Sequence, residues 1–351
     1  MPVTASQLHS AASLPLTADA DREELNLLVH GFQVSRMLRV VADLEVADKL
    51  PLDGSITLQE LAKACSVHPE PLLRILRALA CFQIFQLSAD GTVAHSPRSR
   101  FLRMDTPNSL HYSARFWTGL GSWNAWGRLD VAMTGGTPHE AAWGMSRFDY
   151  LRQHPGEARV FDAMMANFPD NRHAAIAATY DFSTAGLIAD IGGGNGAALR
   201  HILAQYPTPR GLVFDREDVI SAITLDDLMQ GRITAEGGSF FDHVPSGADV
   251  YMMIRVLHDW GDEDCVRILR ACRAVMTPTA RLLLGEQILE PDPALGQAVG
   301  YLIDVQMMAM FGRARERTED EFGDLLQQSG FTLLRVIPTA SPISIIEAMP
   351  V

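Results

Sequence analysis

The stretch "LIADIGGGNGAALRHIL", residues 187–203, sets four glycines between an apolar run and an amphipathic one. The run over 187–191 predicts a buried strand, and from Ala197 onward apolar side chains recur at helical spacing. Between them Gly192, Gly193, Gly194 and Gly196 let the main chain turn tightly and bare its amides at a helix start, where a ligand can approach. Gly192-x-Gly194-x-x-Ala197 matches a dinucleotide fingerprint, and Asp215 follows at the end of the next strand, where a ribose hydroxyl pair would be held. The loop alone serves a nicotinamide nucleotide and S-adenosylmethionine equally well, because both carry an adenosine. Asp190 separates them: a carboxylate at the end of the first strand suits a ligand with an ammonium and a sulfonium, and would repel a pyrophosphate. The plainer alternatives are that Asp190 caps a helix or strand end and that Asp215 opens a turn before "REDV".

Outward from this loop, short apolar runs at 187–191, 212–214, 232–235, 250–254, 281–285, 332–337 and 344–347 predict strands. Helical stretches lie between most of them, so the expectation is an α/β sheet with crossover connections and a terminal hairpin. The domain begins after a boundary at 180–185.

The fourth run delivers "RVLHDW" to a loop before a helix capped by Asp262. In an open α/β sheet the loops at the carboxyl ends of the strands form the ligand crevice, which puts His258 on the same rim as the glycines. Histidine titrates near neutral pH and suits a general base, although a lone histidine is more often structural. Two acids are candidates to orient its ring: Glu286 at the end of the next strand, and Glu316 in "RARERTEDEF". The alternative for Glu316 is an ion pair with a neighbouring arginine, and Thr318 with Glu321 reads as a capping box.

Upstream, apolar residues at spacings of three and four predict a helix over about 25–55. "ITLQELAKACSVHPEPLLRILRALACFQIF" predicts two short helices broken near Pro69, and "FQLSADGTVAHS" a hairpin turning at Asp90-Gly91. Helix, turn, helix and hairpin make a winged-helix pattern. Its second helix offers only Arg74 and Arg77, and the formal charge of the chain is −13, which argues against a nucleic-acid footprint. A dimerisation platform is the better reading, and Leu27, Leu28, Phe32, Leu38 and Val41 form an apolar face too broad for one small unit to bury. Residues 107–182 are helical and rich in aromatics and methionines. Trp117, Phe161, Met165 and Phe168, with Met307 and Phe311 further on, suggest a pocket for a flat aromatic ligand.

The four cysteines have no CxxC spacing and read as reduced, buried thiols. No secretory leader and no uninterrupted apolar run of spanning length is found, so a cytoplasmic location is expected. The expected organisation is a loose arm at 1–20, a winged-helix dimerisation domain at 21–106, a helical linker and pocket segment at 107–182, and a cofactor-binding domain at 183–351.

In family order, "DIGGGNG", "FD" at 214–215, "GSFFDHVP", "RVLHDW", "GEQIL" and "RERT" resemble the S-adenosylmethionine-dependent O-methyltransferases of the caffeic acid, hydroxyindole and polyketide-tailoring type. The resemblance runs from about residue 25 to the C-terminus. It implies a winged-helix dimerisation domain joined to a Rossmann-like methyltransferase domain of seven strands, working as a homodimer. It implies that Asp190 and the loop Gly192, Gly193, Gly194 and Gly196 cradle the methionine part of the cofactor, and that Asp215 holds the ribose. Ser239 and Phe240 would face the adenine, with Arg255 among the cofactor residues. His258 would be the base, flanked by Glu286 and Glu316, and Asp259 would join the substrate pocket. Many relatives carry an aspartate where this chain has Ser239. The expected reaction is methyl transfer to a hydroxyl of a small aromatic or polyketide-like acceptor, leaving S-adenosylhomocysteine, with no metal, no nucleic acid and no membrane partner. Drifted chemistry on the same fold (N-methylation, hydroxylation or decarboxylation), a ligand-sensing regulator and a nicotinamide-dependent oxidoreductase are the competing readings.

Overall fold

The computed structural model describes residues 18–166, 171–223 and 231–351. They fall into two compact units, the first holding residues up to 119 together with 159–167, the second 120–158 and everything after 167.

The first unit opens with α1 (Ala18–Val29), α2 (Gly31–Asp43) and α3 (Val46–Lys49), followed by β1 (Ser55–Thr57), α4 (Leu58–Cys65), α5 (Pro69–Cys81), β2 (Gln86–Leu87), β3 (Thr92–Ala94) and α6 (His111–Trp117). A capping box starts α4: the Glu60 amide donates to the Thr57 hydroxyl at 3.3 Å, and the Thr57 amide donates to the Glu60 carboxylate at 2.9 Å. Pro69 in the first turn of α5 puts a fixed φ where no amide is needed. β3 pairs antiparallel with both β1 and β2, and the connection into it turns at Asp90-Gly91, where Gly91 takes a φ of 83°. This is the small winged sheet expected from the alternation. Leu61, Leu76, Leu79, Phe85 and Val93 close the core between helices and sheet.

The apolar face expected on the first helices divides in two. Leu25, Leu27, Leu28, Val29 and Phe32 are exposed, whereas Val41 is buried in the unit's own core and Leu38 packs against that core. The difference follows from the break at His30: α2 is a separate amphipathic helix whose inner stripe serves its own fold. A groove of about 470 Å³ runs beside the exposed residues, lined by Leu27, Val34, Met37 and Phe82 among others.

In the second unit the helices α7 (Leu120–Trp126), α8 (Pro138–Trp143), α9 (Arg147–Gln153), α10 (Pro155–Ala166, its later turns in the first unit) and α11 (Arg172–Thr179) precede the sheet. Its strands are β4 (Leu187–Ile191), β5 (Arg210–Asp215), β6 (Ile233–Gly237), β7 (Val250–Ile254), β8 (Arg281–Glu286), β9 (Phe331–Pro338) and β10 (Ser344–Pro350). Their order is β6-β5-β4-β7-β8-β10-β9. The pairs among β4 to β8 are parallel, and β10 runs antiparallel to both β8 and β9. The connections carry α12 (Ala197–Gln205), α13 (Glu217–Ile220), α14 (Asp262–Val275), α15 (Ala298–Phe311) and α16 (Glu319–Gln328). All seven expected strands are present. Alternate residues face opposite layers: Ala189, Ile191, Tyr251, Met253, Leu282 and Leu284 share a core with α14 and α16, and Ile188, Val250, Met252 and Leu283 share one with α11 and α12. The order reverses at β4, between β5 and β7, and the carboxyl ends there form the crevice that such a sheet offers to ligands.

All four cysteines are free; Cys65, Cys265 and Cys272 are buried, but Cys81 is exposed on α5, contrary to the expectation for the set. Among the described residues no helix is long and apolar enough to cross a membrane.

Candidate active site

The glycine loop leaves β4 and is tied back to the sheet by its own amides. Gly192 donates to the Phe214 carbonyl at 2.7 Å, and Gly194 donates to Asp215 Oδ2 at 2.8 Å. Gly192, Gly194 and Gly196 all have positive φ, and a Cβ on Gly193 would sit 2.7 Å from the Asp190 carboxyl carbon. The loop therefore folds directly over Asp190, and only glycine permits that approach. Asp190 is buried, with Oδ2 lacking any hydrogen-bond partner. Burial, with the Asp215 charge adding to it, pushes its carboxyl up to about 7. The expectation of bared glycine amides is not met, since they are donated within the protein, but a buried carboxylate with an orphaned oxygen is matched to a cationic group. Asp215 is half-buried at the end of β5, its second oxygen accepting the Arg216 amide at 2.7 Å. Beyond the end of β6, Ser239 accepts the Phe241 amide at 3.3 Å, and Phe240 stands edge-on to Trp260 with ring centres 5.8 Å apart.

After β7 the chain takes one unusual residue and then a short turn. Arg255 has a φ of 56°, and its amide still donates to the Gly285 carbonyl at 2.9 Å, holding it in sheet register. His258 follows on the turn Leu257–Asp259 and is almost fully buried. Its Nδ1 lies 3.3 Å from Glu286 Oε2, at ion-pair distance but off the line of a hydrogen bond, and its Nε2 lies 3.3 Å from Asp259 Oδ1. Glu286 is completely buried, and its Oε1 accepts the amides of Val256 at 3.0 Å and Leu257 at 2.9 Å. Burial alone would raise this carboxyl; His258, Arg255 and the Leu257 amide overcome that and hold it at about 2. Asp259 is moved upward, chiefly by desolvation, with His258 and Arg255 opposing.

Glu316 is buried, and both of its oxygens go to Arg255, at 2.6 and 2.8 Å, rather than to the histidine ring. A planar guanidinium matches two carboxylate oxygens at once, which an imidazole cannot do. The same arginine reaches Glu286 Oε2 at 3.2 Å, so the Arg255 side chain is spent inside the protein on two acids. Asp304 of α15 accepts the Glu316 amide at 2.8 Å and fixes that loop.

Arg317 carries a role the sequence did not announce. It is completely buried, donates to Asp262 at 2.7 and 3.0 Å, and donates to the carbonyls of Leu257 at 3.1 Å and Trp260 at 2.9 Å. It staples the histidine turn from behind. The only signal was a second arginine beside Glu316, and charge in sequence ordinarily reads as surface.

The expected pocket residues are distributed between the units. Trp117, Phe161 and Met165 belong to the first, where Phe161 packs on Phe116 with ring centres 5.3 Å apart and Met165 is exposed. Asp259, Met307 and Phe311 belong to the second, where Met307 is buried and Phe311 packs on Phe148 at 5.5 Å. Phe168 lies outside the described residues. Among the described residues no group of three or more His, Cys, Asp or Glu side chains is placed to hold a metal.

Comparison with known proteins adds the following. Residues 117–332 match the O-methyltransferase domain family, and residues 26–105 match the O-methyltransferase dimerisation domain. The chain is 37% identical to the phenazine O-methyltransferase PhzM of Lysobacter antibioticus, over 92% of this chain and 95% of that one. The solved structure of the mitomycin 7-O-methyltransferase MmcR superimposes with a TM-score of 0.86 at 32% identity, covering 95% of this chain and 98% of that one. The O-methyltransferase NcsB1 from neocarzinostatin biosynthesis, solved with S-adenosylmethionine and 2-hydroxy-5-methyl naphthoic acid, gives a TM-score of 0.73 at 30% identity, covering 90% and 96%.

Proposed function

We propose, from the premise that this chain belongs to the O-methyltransferase family and carries that family's dimerisation domain, that it methylates a hydroxyl on a small aromatic acceptor with His258 as general base. The cofactor of the reaction is S-adenosylmethionine, whose sulfonium supplies an activated methyl and leaves as a neutral thioether. The residues of the crevice suit it: the orphaned Asp190 carboxylate fits its ammonium and Asp215 its ribose, while the amides of Gly192, Gly193 and Gly194 are given to Phe214 and Asp215 and fix the shape of the loop. Ser239 and Phe240 are then assigned to the adenine.

The observation that carries the reading is the relation of Glu286 to His258. Glu286, held ionised by two backbone amides and by Arg255, faces Nδ1 of the ring. On this reading the resting proton sits on Nδ1, towards Glu286, and Nε2, beside Asp259, receives the proton of the acceptor. A phenol with a pKa near ~10 keeps its proton at neutral pH, and a histidine near ~6.5 can take it as the oxygen gains its methyl. The proton passes from acceptor oxygen to Nε2, and Glu286 offsets the charge that the ring acquires.

Single-turnover methyl transfer, with cofactor and a panel of hydroxylated aromatics saturating, tests this. His258→Asn should transfer at least about 10²-fold more slowly, with S-adenosylmethionine affinity nearly unchanged. Near-normal transfer by that variant defeats the assignment. Glu286→Gln should lose less, because it orients the ring without taking the proton.

A further inference from the structure

We infer that Arg255 is a positioning residue that tunes His258: its guanidinium and the His258 ring share one oxygen, Glu286 Oε2, at 3.2 and 3.3 Å. This rests on the reading of His258 as the base. A histidine beside a buried, ionised carboxylate is drawn towards its protonated form, and a base already carrying its proton is useless. A second cation on the same oxygen draws off part of that attraction. Arg255 thereby leaves the ring free to accept a proton from the acceptor while keeping Glu286 ionised to orient it.

Three features show that the arginine is built for this place. Its backbone adopts a left-handed φ of 56°, which a non-glycine residue holds only when its surroundings impose it. Its amide is locked to Gly285 in the adjacent strand. Two further bonds from the guanidinium go to Glu316, one from each terminal nitrogen, and the Glu316 amide is itself pinned by Asp304, so the guanidinium is aimed rather than loosely placed. The held-down Glu286 carboxyl agrees with the Arg255 charge bearing on it.

The other charges around the ring are accounted for. Asp259 on the same turn faces Nε2. Arg315 gives only its amide to the His258 carbonyl and directs its side chain to Asp262 and Glu321. Arg317 is paired with Asp262 of α14, and the Cys265 thiol on α14 donates to the Leu257 carbonyl. Asp304 is the acid that α15 brings to this cluster. Arg255 is thus the cation on the oxygen that faces Nδ1.

The test is the titration of the His258 ring in the full-length protein, followed by NMR with labelled histidine and assigned by its absence from His258→Asn. Arg255→Met should raise the midpoint by about one pH unit or more, the usual scale for a charge a few ångströms away. Arg255→Lys should restore it towards the parent. Glu316→Gln should lower it, because Arg255, with one acid less to serve, bears harder on Glu286. Opposite signs from two members of one cluster cannot come from general loosening. Once an acceptor is in hand, the acid limb of kcat/KM should move with the ring. A folded Arg255→Met protein with the parent's midpoint overturns the inference; if that variant does not fold, an unchanged midpoint in Glu316→Gln does. Shifted midpoints together with normal transfer by His258→Asn would instead sink the base assignment and leave the tuning intact.

Discussion

Asp190 shows how one buried side chain couples ligand, acidity and stability. In the free protein its carboxyl is pushed up to about 7 by burial and by Asp215, well above the ordinary aspartate value. The folded protein therefore binds a proton here that the unfolded chain has released, so this group costs stability progressively as pH rises from about 4 to about 7. The melting temperature of the free protein should fall across that window, and fall less in Asp190→Asn. An ammonium-bearing ligand needs the ionised form. S-adenosylmethionine affinity should then weaken below about pH 7, by up to about tenfold per pH unit, and calorimetry with Asp190→Asn should show a weaker affinity without that slope. Asp215→Ala should cost about 1.5 to 3 kcal/mol of cofactor binding, roughly ten- to a hundredfold, without unfolding the protein; unchanged affinity would reject its ribose role. The placement of both residues at the carboxyl ends of strands was readable from the sequence, because each lies at the close of an apolar run. The burial of Arg255 and Arg317 was not: nothing in the letters says that a guanidinium will be buried, since the partners Glu286, Glu316 and Asp262 come from elements brought together only by the sheet.

At the scale of elements, the strands were readable because a parallel strand covered on both faces is a short continuous apolar run, and 250–254 was bounded to the residue. The winged sheet was readable from its turn residues. What escaped was the split of the first helical stretch into α1, α2 and α3: the break at His30 is marked only by Gly31, and the one at Glu45 by neither proline nor glycine, Glu45 itself adopting a φ of 55°. That split sends Val41 inward and leaves α1 outside. The β4–α12 connection makes a sharper claim. Gly192 has a φ of 73°, and a Cβ there would stand 2.8 Å from Val256 Cγ2, next to the residues that carry the histidine turn. Gly192→Ala should cost about 1 to 3 kcal/mol in denaturant unfolding and should reduce turnover as well as cofactor affinity, because the clash is shared between the two halves of the site. An alanine variant with parental stability would mean that the loop relaxes freely.

For the whole molecule, the unburied residues are the informative ones. Leu25, Leu27, Leu28, Val29 and Phe32 form an exposed apolar face beside the groove lined by Leu27, Val34, Met37 and Phe82, in a region that matches a dimerisation domain. A second copy of this chain is the proposed cover, and light scattering at micromolar concentration should find a dimer; Leu28→Asp with Phe32→Asp should give a monomer. The placement of the thiols then has a practical side. Cys65, Cys265 and Cys272 are sealed in the interior, and Cys81 alone of the four is open to solvent, at the end of the helix that contributes Ala78 to that groove and next to its Phe82. The native chain is in effect singly addressable. A maleimide dye should add once per folded polypeptide and reach all four thiols only in denaturant, and its fluorescence would give a direct optical readout of how tightly two copies hold each other.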